Sequence, residues 1–177
     1  MTTQTPGVKS DHAVKVTHTV SICRPAEELY AFWQNPENLM RVIKHPVSIS
    51  STAPSVSHWA VTEPITGNIV QWDSHVINEE PGKLIAWESV AGGDIAQAGT
   101  VRFTPAPGAE GTEVCIKLEF DPPGGTVGAL LAKLSRYNPA HEVAEALRRF
   151  KALSETGEIP TTEGQSVGEP QKSKKQP

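Results

Sequence analysis

The sequence contains few side chains that could carry out acid–base chemistry on an enclosed substrate. His18 is the one ionisable residue on the apolar side of the alternating segment 14–22. An imidazole titrates near neutral pH, so His18 could serve as a general base or as a polar anchor for a ligand. The same position also suits a hydrogen-bonded histidine of a core or rim, and both interpretations stay open.

Two other groups of polar residues do not form a recognisable reactive site. Ser74 and Ser89 face the apolar side of their segments, but neither lies in a nucleophile elbow or has a visible His/Asp partner. Asp73 and His75 form a D-x-H pair on the opposite face, and His58 could join them. Their spacing is not that of a zinc site and no cysteine pair accompanies them. We therefore predict no metal and no cofactor.

Paired carboxylates, which can divide acid and base roles, occur at Glu27–Glu28 and Glu79–Glu80. The first pair suits the positive end of a helix dipole. The second pair precedes a Pro-Gly turn. We interpret both as solvated charge.

Composition and charge narrow the class of protein. The 177 residues carry a formal net charge of −4 without a clustered basic surface, which favours no nucleic-acid partner. No apolar run approaches the ~20 residues of a membrane helix, and residues 1–12 lack the layout of a signal peptide. Two cysteines without an export signal predict a reduced, cytoplasmic protein, whose protein partners are unknown.

One domain with two tails is expected. Residues 1–12 are predicted to be a disordered leader and residues 13–159 the folded domain. Residues 160–177 have almost no apolar content and many Pro, Gly, Ser, Gln and Lys. Such a segment cannot bury enough surface to offset the entropy of ordering, so it is predicted to be a disordered polar tail.

The folded part begins with a strand, two short helices and six further strands. The alternating segment 14–22 predicts the first strand, and RPAEELYAFWQ and PENLMRVI predict the helices. Strand-like runs broken by Gly and Pro turns then continue to residue 121. Short links between successive strands favour an antiparallel meander.

The C-terminal part is predicted to be helical in two stages. Helical spacing first relates the apolar residues Val127, Leu130, Leu131 and Leu134. Asn138-Pro139 then supplies a cap and a first helical position for a helix of ~15 residues. The apolar stripe of this helix consists of Val143, Leu147, Phe150 and Leu153. We expect the helix to end near Gly157.

Three of the four tryptophans, Trp59, Trp72 and Trp87, lie on the apolar faces of successive strand-like runs. Seven strands at ~4.8 Å spacing make a sheet ~29 Å wide. A helix of ~15 residues is only ~22 Å long and ~10 Å across. One helix cannot cover that face, so the sheet must curl around it and leave room. Either large side chains or a ligand would fill this room.

The resemblance to a known family goes beyond the order of strands and helices, because four segments also match in sequence. They are SICRPAEELYAFWQNPENL, SHWAVTEPITGNIVQWDSHVINEEPGKLIAWES, GTVRFTPAPGAEGTEV and LRRFKALSETGEIPTTEG. Over residues 13–164 the sequence resembles the bacterial polyketide cyclase/dehydrase (coenzyme-Q-binding-like) branch of the START-like, or SRPBCC, superfamily. The resemblance implies an α+β helix-grip fold. In that fold a curved seven-stranded antiparallel sheet surrounds a long C-terminal helix, with two short helices after the first strand.

The resemblance further implies an apolar cavity between the sheet and the long helix, which takes lipids, quinones, polyketides or other hydrophobic molecules. We expect binding of such a ligand, with transport or presentation as an extension. The expected ligand-binding residues are Trp59, Trp72, Trp87, Phe103, Leu118, Leu131, Leu134, Leu147, Phe150 and His18.

Two alternatives to a binding protein stay open. One is an aromatic polyketide cyclase or dehydratase, in which His18 would be the candidate acid–base residue. The other is a protein-interaction module whose cavity is filled by its own side chains. The sparse set of inward acid–base groups favours a binding protein over an enzyme.

Overall fold

The fold is seen in a computed structural model that describes residues 7–8, 13–44, 47–62, 67–108, 110–121 and 139–159. Its strands are β1 (Val14–Ile22), β2 (Val47–Ala53), β3 (Val56–Thr62), β4 (Ile69–Glu80), β5 (Leu84–Ser89), β6 (Ala96–Pro105) and β7 (Thr112–Asp121). Its helices are α1 (Ala26–Gln34), the 3₁₀ helix Pro36–Arg41 and α2 (Pro139–Thr156). None of these helices is both long and apolar enough to cross a membrane.

All seven strands form one antiparallel sheet in the order β1-β7-β6-β5-β4-β3-β2. Strands β2 to β7 pair with their neighbours in the chain, as short links between antiparallel strands require. Strand β1 closes the order by pairing with β7, from Val14 opposite Phe120 to Ile22 opposite Thr112. The predicted meander and the α+β helix-grip architecture are confirmed.

Local sequence signals account for the helix ends. Pro25 has an extended backbone and occupies the N-cap position, directly before the first residue of α1. The Asn35 side chain accepts a hydrogen bond from the Glu37 backbone N–H at 3.0 Å and caps the 3₁₀ helix. Gly157 adopts a φ of 78°, a left-handed conformation that ends α2 where the sequence predicted.

One face of the sheet, called the concave face below, packs against the helices. Alternation along each strand puts its apolar residues on this face. A single buried cluster joins it to the helices: Ile22, Leu29, Tyr30, Val42, Ile85, Val101, Phe103, Val114, Ile116, Leu147 and Phe150.

Phe150 is the aromatic centre of the contact between the two α-helices. Its side chain is 1% exposed. The ring lies 4.8 Å from the Phe32 ring and 5.9 Å, edge to face, from the Trp33 ring, measured between centroids. Aromatic pairs in this range add to the free energy of burial. Helix α2 therefore packs against α1 as well as against the sheet.

Polar contacts fix the C-terminal end of α2 against the connection between β1 and α1. Arg24 donates from Nε to the Ser154 carbonyl at 2.8 Å and from Nη2 to the Glu155 carbonyl at 3.1 Å. The Glu155 carboxylate accepts from the Cys23 backbone N–H at 2.8 Å. That hydrogen bond, followed by the one from Lys151, lowers the pKa of Glu155. These contacts satisfy helix-end carbonyls that would otherwise lack partners.

Glu79 was expected to be solvated charge, but it links β4 to α1. The Tyr30 hydroxyl donates to Glu79 Oε1 at 2.5 Å, and Gln34 Nε2 donates to the same oxygen at 3.0 Å. Burial, then the hydrogen bond and the charge of Glu79, raise the pKa of Tyr30 far above its ordinary value. The sequence concealed this pair because the two residues are 49 positions apart.

Removing the Tyr30 hydroxyl should weaken the fold in a pH-dependent way. The Tyr30→Phe protein is expected to lose about 1 kcal/mol of unfolding free energy at neutral pH. Because the pKa of Tyr30 is raised by folding, its contribution is fully present below about pH 10 and is lost as the pH rises further. Urea unfolding at pH 8 and pH 10.5 should show the difference between the two proteins shrinking. An unchanged difference would contradict this assignment.

Candidate functional site

Two indoles stack side by side on the concave face. Trp59 of β3 lies directly opposite Trp72 of β4 in the register of the sheet. Their ring centroids are 5.7 Å apart and the ring planes differ by 14°. Both side chains are half-buried, so the pair is neither packed into the core nor turned to water. Together they form a broad flat apolar surface towards the β2 edge of the sheet.

The loop between β5 and β6 is hydrogen-bonded to the backbone of β4 next to Trp72. Asp94 donates from its backbone N–H to the Gln71 carbonyl, and its carboxylate accepts from the Gln71 N–H, both at 2.8 Å. A Cβ built on Gly93 would lie 2.8 Å from the Trp72 Cβ. Only a residue without a side chain allows this approach. The loop therefore limits how far β4 can shift beneath the indole.

The third indole of the set, Trp87 of β5, lies across the sheet rather than standing up from it. It faces Gly99 of β6 in the register, and a Cβ on Gly99 would overlap Cζ2 of the indole. The Trp87 Nε1 is 3.5 Å from Oε1 of Gln97. Because Gly99 has no side chain, the Trp87 indole can lie flat against the sheet.

A row of polar side chains runs between these indoles. Ser57 pairs with Ser74, and Ser74 pairs with Ser89. Gln97 extends the row on β6, where its backbone N–H donates to the Ser89 Oγ at 2.9 Å. We call Ser57, Ser74, Ser89 and Gln97 the polar row. Except for Ser89, which is half-buried, its members are buried residues on a mostly apolar face.

Sequence reasoning found two members of the polar row, Ser74 and Ser89, but missed Ser57 and Gln97. Ser57 lies two residues before Trp59, and Gln97 lies two residues before Gly99, so their common face follows from alternation. The overlooked signal was a polar residue at an inward position in each of four consecutive strands.

Hydrogen bonding within this region is incomplete among the described residues. The Trp59 Nε1 donates to the Ser57 Oγ at 2.9 Å. The Trp72 Nε1 is fully buried and has no hydrogen-bond partner there. Such a donor costs free energy unless another group accepts from it. The Nε1 of Trp33, whose ring packs against Phe150, is likewise buried without a hydrogen-bond partner among the described residues.

The other residues expected to bind a ligand occupy different environments. Phe103, Leu147 and Phe150 lie in the buried cluster, whereas Leu118 is half-buried opposite Gly99. Leu131 and Leu134 lie outside the described residues. Contact of any of these side chains with a ligand stays a prediction.

His18 lies on the concave side of β1, opposite Ile116 of β7. Five strand spacings separate β1 from β3 in the sheet. At ~4.8 Å per spacing, His18 is therefore ~24 Å from Trp59 along the sheet. The structure does not bring the candidate acid–base residue next to the stacked indoles. Its role as a polar anchor or a base stays a prediction.

On the opposite, convex face, His58 of β3 contacts Asp73, the residue paired with it on β4. His58 Nδ1 lies 2.8 Å from Asp73 Oδ1. Within the described part of the chain, no group of three or more His, Cys, Asp or Glu residues could hold a metal ion.

A separate cleft of about 460 Å³ opens at the surface between α1 and the end of α2. Arg24, Glu28 and Arg41 are among the residues that line it, together with Leu153. Both charge signs are present, and Arg24 is already bonded to helix carbonyls. The cleft lies away from the stacked indoles, and its lining favours no ligand class.

The sequence of the described domain also matches a known family. The family model described as "Polyketide cyclase / dehydrase and lipid transport" matches residues 13–155. The chain belongs to this family. No curated protein matches the sequence.

Three solved structures illustrate what this chain is similar to. A Deinococcus radiodurans protein is 35% identical over 81% of this chain and 98% of its own, with a TM-score of 0.67. A Thermus thermophilus protein is 21% identical, covers 78% of this chain and 94% of its own, and has a TM-score of 0.61. The Zhui aromatase/cyclase from a Streptomyces species is 17% identical, covers 82% and 98%, and has a TM-score of 0.56. The latter two share the fold.

Proposed function

We propose that this protein binds a hydrophobic small molecule, such as a lipid, a quinone or a polyketide, against the concave face beside Trp59 and Trp72. The observation that carries this proposal is the stacked, half-buried indole pair on the inner face of a helix-grip sheet. Tryptophan side chains bring large, rigid contact areas at a low cost in conformational entropy. Transport or presentation of the ligand, in the cytoplasm, is the extension that we propose with it.

Physical chemistry supports a ligand at this place. Half-buried indoles can gain by further removal from water, at about 25 cal/mol for each Å² of apolar surface. Ligand sites are typically apolar surfaces that carry a few placed polar groups. The indole pair and the polar row match that description. The family description, which includes lipid transport, is consistent with an apolar ligand.

The proposal is tested by native mass spectrometry of the isolated protein and by tryptophan emission during titration with quinones, fatty acids and polyketides. We expect a retained mass, or an emission change with at least one ligand class. Replacing Trp59 or Trp72 with leucine should weaken binding about tenfold, since ~50 Å² of apolar contact would be lost.

Ile69→Ala provides the matched control, because Ile69 lies on β4 with Trp72 but is 61% exposed. This variant should bind like the unmodified protein. Unchanged emission across the whole panel, together with the absence of a retained mass, would refute the proposal.

A further inference from the structure

We propose that the 3₁₀ helix Pro36–Arg41 covers the edge strand β2 and keeps it from pairing with β2 of a second copy of this chain. Strand β2 is the last strand of the sheet, so one of its sides has no neighbour among the described strands. The outward N–H and C=O groups of such a strand can pair with a strand of another chain. Removing the cover would therefore convert a monomer into a dimer joined edge to edge.

Two side chains of the 3₁₀ helix accept hydrogen bonds from the outer side of β2. Glu37 Oε1 accepts from the Ser51 backbone N–H at 3.0 Å, and Met40 Sδ accepts from the Ile49 N–H at 3.4 Å. Residues two apart on a strand point their N–H groups the same way, so both groups belong to one side. The carboxylate is the stronger acceptor, because a thioether sulfur accepts only weakly. We call Glu37 and Met40 the edge cover.

The strand itself carries no charge that would repel a second copy. Sheet edges are commonly protected by charged side chains, especially lysine. Residues 45–62, which include β2 and β3, contain no Asp, Glu, Lys or Arg. On β2, Ser50 and Ser51 are exposed. Charge repulsion between two β2 strands would therefore be small, and we infer that the edge cover is what blocks their pairing.

A second copy suits this edge because the two strands would be identical and could run antiparallel. If Ser50 of one copy lies opposite Ser50 of the other, Ile49 of each copy lies opposite Ser51 of the other. These residues would then exchange main-chain hydrogen bonds, using the N–H groups that the edge cover now binds. Use of the same surface by both copies closes the assembly at a dimer. The register shift between Ser51 and Ala53 keeps the paired stretch short.

The edge cover belongs to an element that is easily displaced. A 3₁₀ helix has poorer hydrogen-bond geometry than an α-helix and seldom exceeds four residues. This one has six residues, none of which is buried. Its hold on β2 therefore depends on individual side chains. We expect the loss of the Glu37 carboxylate to be enough to expose the edge.

Amide hydrogen exchange, followed by NMR, tests the cover. In the unmodified protein the Ser51 amide should exchange more slowly than an unprotected amide in the same sequence. Glu37→Ala should speed this exchange about tenfold or more, as the loss of a charge-assisted hydrogen bond predicts. The variant is measured at a concentration at which it is monomeric. Glu37→Gln keeps an acceptor oxygen and should restore most of the protection.

Sedimentation equilibrium tests the second copy. The average mass of Glu37→Ala should rise from monomer towards dimer with concentration, while the unmodified protein stays a monomer. Glu88→Ala is the control, because it removes an exposed carboxylate from β5, which is paired on both sides. Adding Ser51→Pro to Glu37→Ala should abolish the dimer, since proline has no N–H. If Ser51→Pro prevents folding, Ser50→Lys replaces it and places like charges opposite each other.

Three outcomes would contradict the proposal. Slow Ser51 exchange in Glu37→Ala, or fast exchange already in the unmodified protein, would overturn the edge cover. Fast exchange in a Glu37→Ala protein that stays monomeric at every concentration would overturn pairing with a second copy. A dimer that survives the added Ser51→Pro or Ser50→Lys would overturn β2 as the interface. None of these measurements involves a ligand, so the proposed function is tested separately.

Discussion

The Phe150→Ala protein is expected to lose about 3–5 kcal/mol of unfolding free energy, the cost of deleting a buried aromatic ring and leaving a cavity. Phe150 is 1% exposed and lies between two aromatic residues of α1. Its loss would uncouple α2 from α1, and partly from the sheet. Urea unfolding followed by circular dichroism would measure the change as a lower midpoint with a similar slope.

Two controls separate this effect from a general sensitivity to substitution. Phe150→Leu keeps most of the buried volume and should cost much less than Phe150→Ala. Ile69→Ala, on an exposed side chain, should remain within about 0.5 kcal/mol of the unmodified protein. A Phe150→Ala protein as stable as Ile69→Ala would show that the packing of α2 does not depend on this ring.

Replacing Gly99 with alanine is expected to destabilise the protein by about 1–3 kcal/mol through overpacking. The added Cβ would overlap the Trp87 ring and would lie 3.0 Å from the Lys117 carbonyl. Because the Lys117 carbonyl belongs to the backbone, the indole has to move instead. Lifted from the sheet, it would intrude on the space in front of the polar row. We therefore expect weaker ligand binding as well as lower stability.

A double-mutant cycle tests the cause of this effect. Trp87→Leu should relieve most of the clash, so the combined Trp87→Leu/Gly99→Ala protein should be more stable than the two single effects predict. Additive effects would mean that the alanine acts elsewhere, for example through the β6–β7 pairing. Gly7→Ala serves as a control because a Cβ there meets its nearest atom at 3.9 Å.

The elements and their faces could be predicted from the sequence because the signals are local. Alternation along β7 and the other strands identifies the inward residues without knowledge of any partner strand. Turn residues mark the strand ends, and Gly157 marks the end of α2. Even the common face of Trp59, Trp72 and Trp87 followed from these patterns.

The contacts between elements could not be predicted in the same way. Alternation does not determine the register, so the stacking of Trp59 on Trp72 appeared only when β3 and β4 were paired. The link from Tyr30 to Glu79 required α1 to be packed against the sheet. In sequence, Glu79 is only one of two acids before a turn.

Local patterns along the chain were enough to predict a sheet with one apolar face, a final helix too narrow to cover it and three indoles on that face. Only the assembled sheet shows that four polar side chains form one row and that His18 lies on an edge strand; the row consists of Ser57, Ser74, Ser89 and Gln97. The physical reason is the distance along the chain over which each property is set. Side-chain direction depends on the pleat of a single strand, whereas proximity depends on strand order and on register summed over several pairings.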